Sequence, residues 1–454
     1  MVDPRPSVRR SMLDFVQMRD FERDPLVIER GDGVRVWDTD GTAYIDGLSG
    51  IFVVNMGHGR REIIDAVSAQ LGKIAFAPQM AMSPPEIELA ERLVAISPPS
   101  FSQVKFHSGG SEATEAAIKM ARQYHRQTGN PGKYKIVSHY RGYHGATGHA
   151  LAATGWPHLR AAFEPFAAGF VRVHTPDPYR PIAGGTTLDE IGVAYARLVD
   201  ETIALEGPST VAAIIVEPIM MSAGIIVPPP GYLAALRRIA DTFDVLLIFD
   251  EIITGFGRTG KLFCREHSGV LPDLFCVGKG VSGGYAPLSA VVLSERVADA
   301  FWGDPGAQFQ AGHTFAGNPV ACAAGLAAID VLLSCGVLEN GAAVGQYAKE
   351  RMRSMAERHP SIGDVRGEGM FLGFEFVTDR STRARFPDSV TFGQRVQAEA
   401  RRRGLLVRAG GWFLAVGPPL TITRSEMDEM LDILDASISV VEREVGVAEP
   451  AIAR

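Results

Sequence analysis

One aspartate and one lysine follow short apolar runs, a position from which side chains can act on a bound molecule. Asp250 follows the run VLLIF at 245–249, and Lys279 follows LFCV at 274–277 between two glycines. Ligands of α/β proteins bind at the carboxyl ends of strands. A lysine in low-dielectric surroundings has a depressed pKa and can form a Schiff base. Taken alone, the two residues are also consistent with a solvated strand end and a surface lysine.

A glycine-rich turn at 107–113, HSGGSEA, has the features of an anion site. It follows the apolar run VKF, and after it small apolar residues recur at i, i+3, i+4 and i+7, which predicts a helix. Gly110 lets the backbone approach an anion, and the free N–H groups around Ser111, with the helix dipole, stabilise a phosphate. An ordinary serine-capped helix is the alternative.

An anion site, a carboxylate and a lysine, in this order at strand ends, are the parts that pyridoxal phosphate requires. The helix terminus would hold the phosphate, Asp250 would keep the pyridine nitrogen protonated, and Lys279 would bind the aldehyde. The protonated ring is then the electron sink that stabilises a carbanion on the substrate. The three motifs together therefore favour a pyridoxal-phosphate enzyme.

Two other patterns point to different chemistry and are less favoured. GFGRTG at 255–260 matches G-x-G-x-x-G, but Leu262 stands where a P-loop needs Ser or Thr, and the next residues form a poor amphipathic helix. A nucleotide-binding protein is therefore the weaker alternative. His139, His144 and His149 recur every five residues, a spacing that does not share one helix face, so no metal site is predicted. We expect His144 to support the cofactor pocket.

The elements that position these residues alternate between apolar strands and helices. VAAIIV at 211–216 and VLLIF at 245–249 flank the helical stretch at 231–243, a pattern typical of a parallel sheet covered on both faces. Before it, 34–46 predicts a hairpin around an Asp-Gly turn. Beyond it we expect a strand pair near 365–376 and 405–416 and a final helix from 425.

These elements predict a large domain at 61–334 and a smaller domain built from 1–60 and 335–454. The formal charge of −7 and pI near 5.9 disfavour a nucleic-acid partner. Four cysteines without a C-x-x-C pair suggest reduced thiols, and no apolar stretch approaches the roughly 20 residues that span a bilayer. We therefore expect a cytoplasmic protein without a membrane partner.

The chain resembles class III (ω-) aminotransferases of fold type I over essentially its whole length. The most specific stretches are LLIFDEIITGFGRTG and FCVGKGVSGGYAPLSA, supported by DGLSGIFVVNMGHG, HSGGSEATEAAIKMAR, YRGYHGAT, AAIIVEPIM and HTFAGNPVACAA. The resemblance implies an α/β fold with a mostly parallel seven-stranded sheet flanked by helices, plus a smaller α+β domain from both termini. It also implies a homodimer with shared active sites, or a tetramer.

The same resemblance implies a role for each matching residue. Lys279 binds the aldehyde of pyridoxal phosphate, Asp250 pairs with the pyridinium nitrogen, and Gly110 and Ser111 hold the phosphate. The remaining cofactor contacts are Tyr143 on one ring face, Ile252 on the other, Glu217 near the ring hydroxyl, and Thr314 reaching the neighbouring subunit's phosphate.

Substrate class follows from three further positions. Ser222 stands where family members acting on charged ω-amino acids have Glu, and Phe52 stands where many amine:pyruvate members have Trp. Arg408 matches the mobile arginine that binds a substrate carboxylate. The resemblance thus implies transfer of an amino group from an amine or ω-amino acid to a keto acid, expected to be pyruvate. An aminomutase or decarboxylase of the same fold is the alternative.

Overall fold

The computed structural model describes residues 8, 10–78 and 80–447. Its strands are β1 (Ile28–Asp32), β2 (Arg35–Asp38), β3 (Ala43–Asp46), β4 (Phe101–His107), β5 (Lys135–His139), β6 (Phe170–Val173), β7 (Val211–Val216), β8 (Leu246–Asp250), β9 (Leu274–Val277), β10 (Ser289–Ser294), β11 (Ile362–Glu368), β12 (Phe371–Phe376), β13 (Leu405–Leu406), β14 (Arg408–Ala409) and β15 (Phe413–Val416). Its helices are α1 (Met18–Arg23), α2 (Ser49–Phe52), α3 (Arg61–Leu71), α4 (Pro84–Ala95), α5 (Gly110–Gln127), α6 (Gly148–Ala153), α7 (Pro157–Arg160), α8 (Leu188–Glu206), α9 (Tyr232–Thr242), α10 (Glu295–Ala298), α11 (Pro319–Ser334), α12 (Val337–Arg358), α13 (Phe392–Arg402) and α14 (Arg424–Val445).

The central sheet has seven strands in the order β4-β10-β9-β8-β7-β5-β6. Strands β9, β8, β7, β5 and β6 pair in parallel, whereas β10 runs antiparallel to β4 and β9. The predicted mostly parallel seven-stranded sheet is therefore confirmed.

Both faces of this sheet are buried, which explains its continuous apolar strands. In β8, Leu246 and Ile248 pack in one apolar cluster with α5, whereas Leu247 and Phe249 pack in a second cluster with α8 and α9. Because side chains alternate along a strand, Asp250 lies on the same face as α5. A register slip of one residue would move its carboxylate to the opposite face.

The two ends of the chain meet in the remaining sheets. The first has the order β1-β2-β3-β13, so a C-terminal strand completes an N-terminal sheet, and β2 and β3 form the predicted hairpin. The second has the order β11-β12-β15-β14. The domain limits at 60/61 and 334/335 stay a prediction.

The segment 405–416 differs from its prediction as one strand. It forms β13 in one sheet and then β14 and β15, which pair as a tight hairpin in another sheet. The chain reverses at Gly410, whose N–H donates to the Phe413 carbonyl at 2.9 Å.

The final helix begins at Arg424, one residue before the predicted position. Among the described residues no single helix is long and apolar enough to cross a membrane; α11 and α12 together pass that test but are bent by 62°.

Candidate active site

The carboxylate of Asp250 is buried and held from two sides. Its Oδ2 lies 2.9 Å from Nδ1 of the buried His144, and its Oδ1 accepts the Ile252 N–H at 3.2 Å. A carboxylate accepts, so this contact places the ring hydrogen on Nδ1. The histidine fixes the orientation of Asp250, as predicted for a residue that supports the pocket.

Two threonines hold the loop that carries His144. The His144 N–H donates to Thr154 Oγ1 at 3.0 Å, and Thr114 Oγ1 donates to the His144 carbonyl at 2.5 Å. Thr114 lies in α5 and Thr154 ends α6, so both helices fix the imidazole. The sequence analysis missed both threonines, because a hydroxyl that binds a distant backbone group leaves no local motif.

Glu217 organises the backbone around Tyr143. Its carboxylate accepts the Tyr143 N–H at 2.9 Å and the Met221 N–H at 3.2 Å. Burial raises the pKa of Glu217 to about 7, a shift that His144 opposes. Near neutral pH Glu217 therefore exchanges a proton readily, beside the half-buried Tyr143.

Lys279 lies in the turn after β9 with a backbone φ of 45°. A side chain in this left-handed region costs of order 1–3 kcal/mol and persists where the surrounding structure demands it. Burial lowers the pKa of the Lys279 ammonium to about 8. Four neighbouring charges act on it, two attracting the proton and two repelling it: Asp250, Glu217, Arg408 and Arg258. The structure thus brings Lys279 into the field of Asp250 and Glu217.

The first turn of α5 has the free backbone N–H groups that an anion site needs. Gly109 is the N-cap and makes no side-chain cap, so the alternative of a serine-capped helix is wrong. The Gly110 and Ser111 N–H groups have no backbone partner within the described residues. A Cβ on Gly110 would lie 2.8 Å from Cδ1 of Ile252, which joins this turn to the Asp250 loop. The Ser111 hydroxyl accepts the Ala146 N–H at 3.0 Å.

Arg408 in β14 faces the same region. Burial lowers the pKa of Arg408, and the Tyr143 phenol opposes that shift. Its charge in turn acts on both Tyr143 and Lys279. The charge of the predicted carboxylate-binding guanidinium therefore reaches the predicted lysine.

Two further predicted site residues, Phe52 and Thr314, differ in how far they are exposed. Phe52 has no exposed surface and packs edge-on against Phe371 with ring centroids 5.1 Å apart, within an apolar cluster of the core. Thr314 is exposed and lines a surface cavity of about 630 Å³ together with Phe76 and Met80. The residues around Lys279 do not line that cavity. Substrate contact by Phe52 and phosphate contact by Thr314 stay predictions.

The three evenly spaced histidines bind three different partners. His139 contacts the Tyr232 hydroxyl at 2.7 Å, His144 contacts Asp250, and His149 contacts Glu115 at 2.5 Å. Each therefore has a separate structural function.

The residues at this site fit pyridoxal phosphate. Free amides at the start of an 18-residue helix suit its phosphate, a fixed buried carboxylate suits its ring nitrogen, and an amine of depressed pKa suits its aldehyde. The 255–260 turn does not fit a nucleotide, because a 3-10 turn at Cys264–His267 follows it instead of a helix.

Comparison with known proteins agrees with this geometry. The family model for class-III aminotransferases matches residues 18–438. The chain is 42% identical to a probable aminotransferase of Mycobacterium tuberculosis, covering 90% of this chain and 88% of that protein. It is 36% identical to the taurine–pyruvate aminotransferase of Bilophila wadsworthia, covering 95% and 96%.

A solved structure supports the same assignment. The amine transaminase of an uncultivated Pseudomonas species, in its pyridoxal-phosphate-bound form, superposes with a TM-score of 0.92 at 36% identity, covering 95% of this chain and 99% of that one. The chain belongs to the class-III aminotransferase family and is a pyridoxal-phosphate-dependent aminotransferase.

Proposed function

We propose that this enzyme transfers the amino group of an amine or ω-amino acid to pyruvate in two half-reactions. The observation that carries the proposal is Arg408, a half-buried guanidinium whose charge acts on Tyr143 and Lys279. Among the described residues, no carboxylate is one of the groups that shift its pKa. Such a cation suits the carboxylate of a keto acid, which it can grip with two hydrogen bonds.

Lys279 is the group that moves the proton. With a pKa near 8 its amine is close to balance at neutral pH, so it can take a proton from the substrate carbon and return it elsewhere. Bound pyridoxal phosphate supplies the electron sink for the pair left on that carbon. Asp250, held by His144, would keep the ring nitrogen charged, and Tyr143 and Ile252 would pack on the two ring faces.

Ser222 and the two methionines before it, where we propose that the amine donor binds, carry no side-chain charge. The Ser222 hydroxyl donates to the Arg141 carbonyl at 2.9 Å, so it fastens the loop before Tyr143 and provides no acid. Met220 and Met221 beside it are buried. Methionine walls adapt to varied apolar groups, so we propose an amine without a second charge as donor.

Support for pyruvate as acceptor comes from the similar taurine–pyruvate aminotransferase, whose name states that acceptor. Pyruvate is small and monoanionic, which matches a single guanidinium in a pocket with apolar walls.

We also propose that the active enzyme is a homodimer in which Thr314 reaches the partner's phosphate. Around Thr314 several large apolar side chains are exposed, among them Phe315 at 60%, Met82 at 62% and Met80 at 101%. Phe76 and Phe315 meet edge-on at 5.8 Å beside the cavity. An apolar patch of this kind marks a protein–protein interface.

The test is alanine formation by the full chain loaded with pyridoxal phosphate. A panel of amines is offered with pyruvate and, separately, with 2-oxoglutarate, and Lys279→Ala is the matched control. We expect alanine from pyruvate with apolar amines and none with Lys279→Ala. Glutamate without alanine would overturn the acceptor, whereas an isomerised or decarboxylated substrate without any keto acid would favour an aminomutase or decarboxylase.

A further inference from the structure

The glycine-rich turn at 255–260 carries a buried arginine that the reaction described so far leaves unused. We infer that Arg258 is a positioning residue of the active site: its buried guanidinium holds, through Asn55, the turn behind Lys279 and places a fixed positive charge on that side of the lysine. This inference goes beyond the proposed substrates and rests on the role proposed for Lys279.

Arg258 is the largest fully buried side chain among the described residues. Its Nη1 donates to the carbonyl oxygens of Pro418 at 2.7 Å and Met370 at 3.3 Å, and its Nη2 donates to Ser49 Oγ at 2.8 Å and Asn55 Oδ1 at 2.5 Å. All four acceptors are neutral oxygens. Within the described part of the chain, the charge of this cation therefore has no direct ion pair.

Asp46 is the acid whose charge opposes the lowering of the Arg258 pKa by burial. The Asp46 carboxylate is already engaged by His58, whose Nε2 lies 2.9 Å from its Oδ2. Burial lowers the pKa of Arg258 to about 9, so the guanidinium is still charged at neutral pH. A buried charge without a close counterion is costly and acts strongly on its neighbours.

A short path of packed groups joins Arg258 to Lys279. Asn55 accepts from Arg258 through Oδ1 and donates through Nδ2 to the Phe256 carbonyl at 2.7 Å. A Cβ on Gly280 would lie 2.4 Å from Asn55 Nδ2 and 3.0 Å from Phe256 Cβ. The backbone beside Lys279 thus rests directly on the group that Arg258 holds, which accounts for glycine at position 280.

Four charged side chains act on Lys279, each from a different part of the fold. Asp250 from β8 and Glu217 after β7 favour its protonated form, and Arg408 from β14 and Arg258 oppose it. Arg408 is expected to pair with a substrate carboxylate, and its field at the lysine then weakens. Arg258 is buried and fixed, so its contribution is present throughout the reaction.

The test compares two ways of changing Arg258. Arg258→Gln and Arg258→Met remove the charge, whereas Arg258→Lys keeps it and loses the planar fork. The pH midpoint of Lys279 is measured in the full chain freed of cofactor, from the pH dependence of acetic anhydride labelling of that lysine. A second readout is the pH midpoint of the near-visible absorbance of the loaded enzyme.

We expect both charge-removing variants to raise the Lys279 labelling midpoint by about one pH unit, the scale of one charge acting across partly buried surroundings, and Arg258→Lys to shift it much less. The absorbance midpoint should move in the same direction. Arg366→Gln is the matched control, because Arg366 is also buried but is not among the charges acting on Lys279. Equal shifts in the Gln and Lys variants, or none in either, would overturn the inference.

Loss of the fold is separated from loss of the charge by a variant at a different residue. Ser49→Asp leaves Arg258 in place and sets a carboxylate beside its Nη2. It should raise the labelling midpoint too, and an unchanged midpoint in the folded Ser49→Asp protein would contradict the inference. Labelling needs no amine donor, so failure of the proposed substrates is detected separately, by the alanine assay.

Discussion

At the scale of single residues, Asp250 and Glu217 are neighbouring buried carboxylates with opposite surroundings. Asp250 accepts from an imidazole ring and one N–H, whereas burial raises the pKa of Glu217 to about 7. Two carboxylates with different hydrogen-bond partners can serve different functions in one site. Asp250 is suited to hold a charge, and Glu217 is suited to hold backbone in place.

Asp250→Asn tests the first function. The amide keeps the size of the side chain but loses the negative charge that favours a protonated ring nitrogen. We expect turnover to fall by several powers of ten, each equivalent to about 1.4 kcal/mol of activation free energy, with little change in thermal stability. Steady-state kinetics and a melting curve measure the two; a rate close to wild type would show that the carboxylate only ends a strand.

Arg408→Ala tests carboxylate recognition. The pyruvate half-reaction should weaken by roughly 2–4 kcal/mol, the range for lost charge-assisted contacts. The half-reaction with a carboxylate-free amine should change much less, because that substrate has no group for a guanidinium. The two are timed separately by following the cofactor spectrum, and equal losses in both would indicate that Arg408 supports the fold.

The sequence alone could predict Lys279 and Asp250, because each follows an apolar strand and has a side chain with distinctive chemistry. It could not predict Thr154 or Arg258. Thr154 acts through the backbone of a residue ten positions away, and Arg258 through residues 49, 55, 370 and 418. Contacts of that range depend on the fold and leave no spacing to read.

At the scale of elements, the site depends on how the loop after β5 meets the start of α5. Gly145 has a φ of 131°, and a Cβ there would lie 2.5 Å from Ser111 Oγ. Only glycine adopts this backbone without strain and leaves room for the serine. The loop and the start of α5 can therefore pack closely because residue 145 has no side chain.

Gly145→Ala should separate the loop from the anion site. We expect cofactor affinity to fall by about tenfold or more, since a clash and a disfavoured φ together cost at least about 1.4 kcal/mol. Absorbance titration of the cofactor-free chain with pyridoxal phosphate measures this. Gly148→Ala is the control, because a Cβ at position 148 has open space; an equal loss there would contradict the role of the close contact.

Element types were easier to predict than their partners. The helical periodicity of α5 and the continuous apolar run of β8 predict these elements from local sequence. The segment at 405–416 is mostly apolar around Arg408 and two glycines, yet its strands belong to two sheets. Sheet membership depends on distant strands, and the apolar pattern does not record it.

At the scale of the whole molecule, a buried histidine ties α12 to the C-terminal helix. His359 Nδ1 lies 2.7 Å from Glu442, whose other oxygen accepts the Ser361 hydroxyl at 2.6 Å. Burial alone would lower the pKa of His359, but the hydrogen bond and charge of Glu442 raise it above its usual value. The same contact lowers the pKa of Glu442 against the effect of burial.

This pair predicts a pH-dependent stability. Because the pKa of His359 is raised on folding, its contribution is fully present below its unfolded pKa and is lost as pH rises through the folded value. We expect the melting temperature of wild type to exceed that of His359→Gln most near pH 6, with the difference shrinking toward alkaline pH. Melting curves at several pH values measure it, and a constant difference would contradict the charged pair.

The contacts of Arg258 join parts of the chain that the ribosome synthesises at very different times. Ser49 donates to the Gly417 carbonyl and accepts from Arg258, which in turn binds the Pro418 carbonyl. The ribosome makes residue 49 long before residue 417, so this early segment waits without its partners while the central sheet folds. A nascent or truncated chain that ends before residue 417 therefore lacks two of the carbonyl groups that hold Ser49 and Arg258 in the folded enzyme.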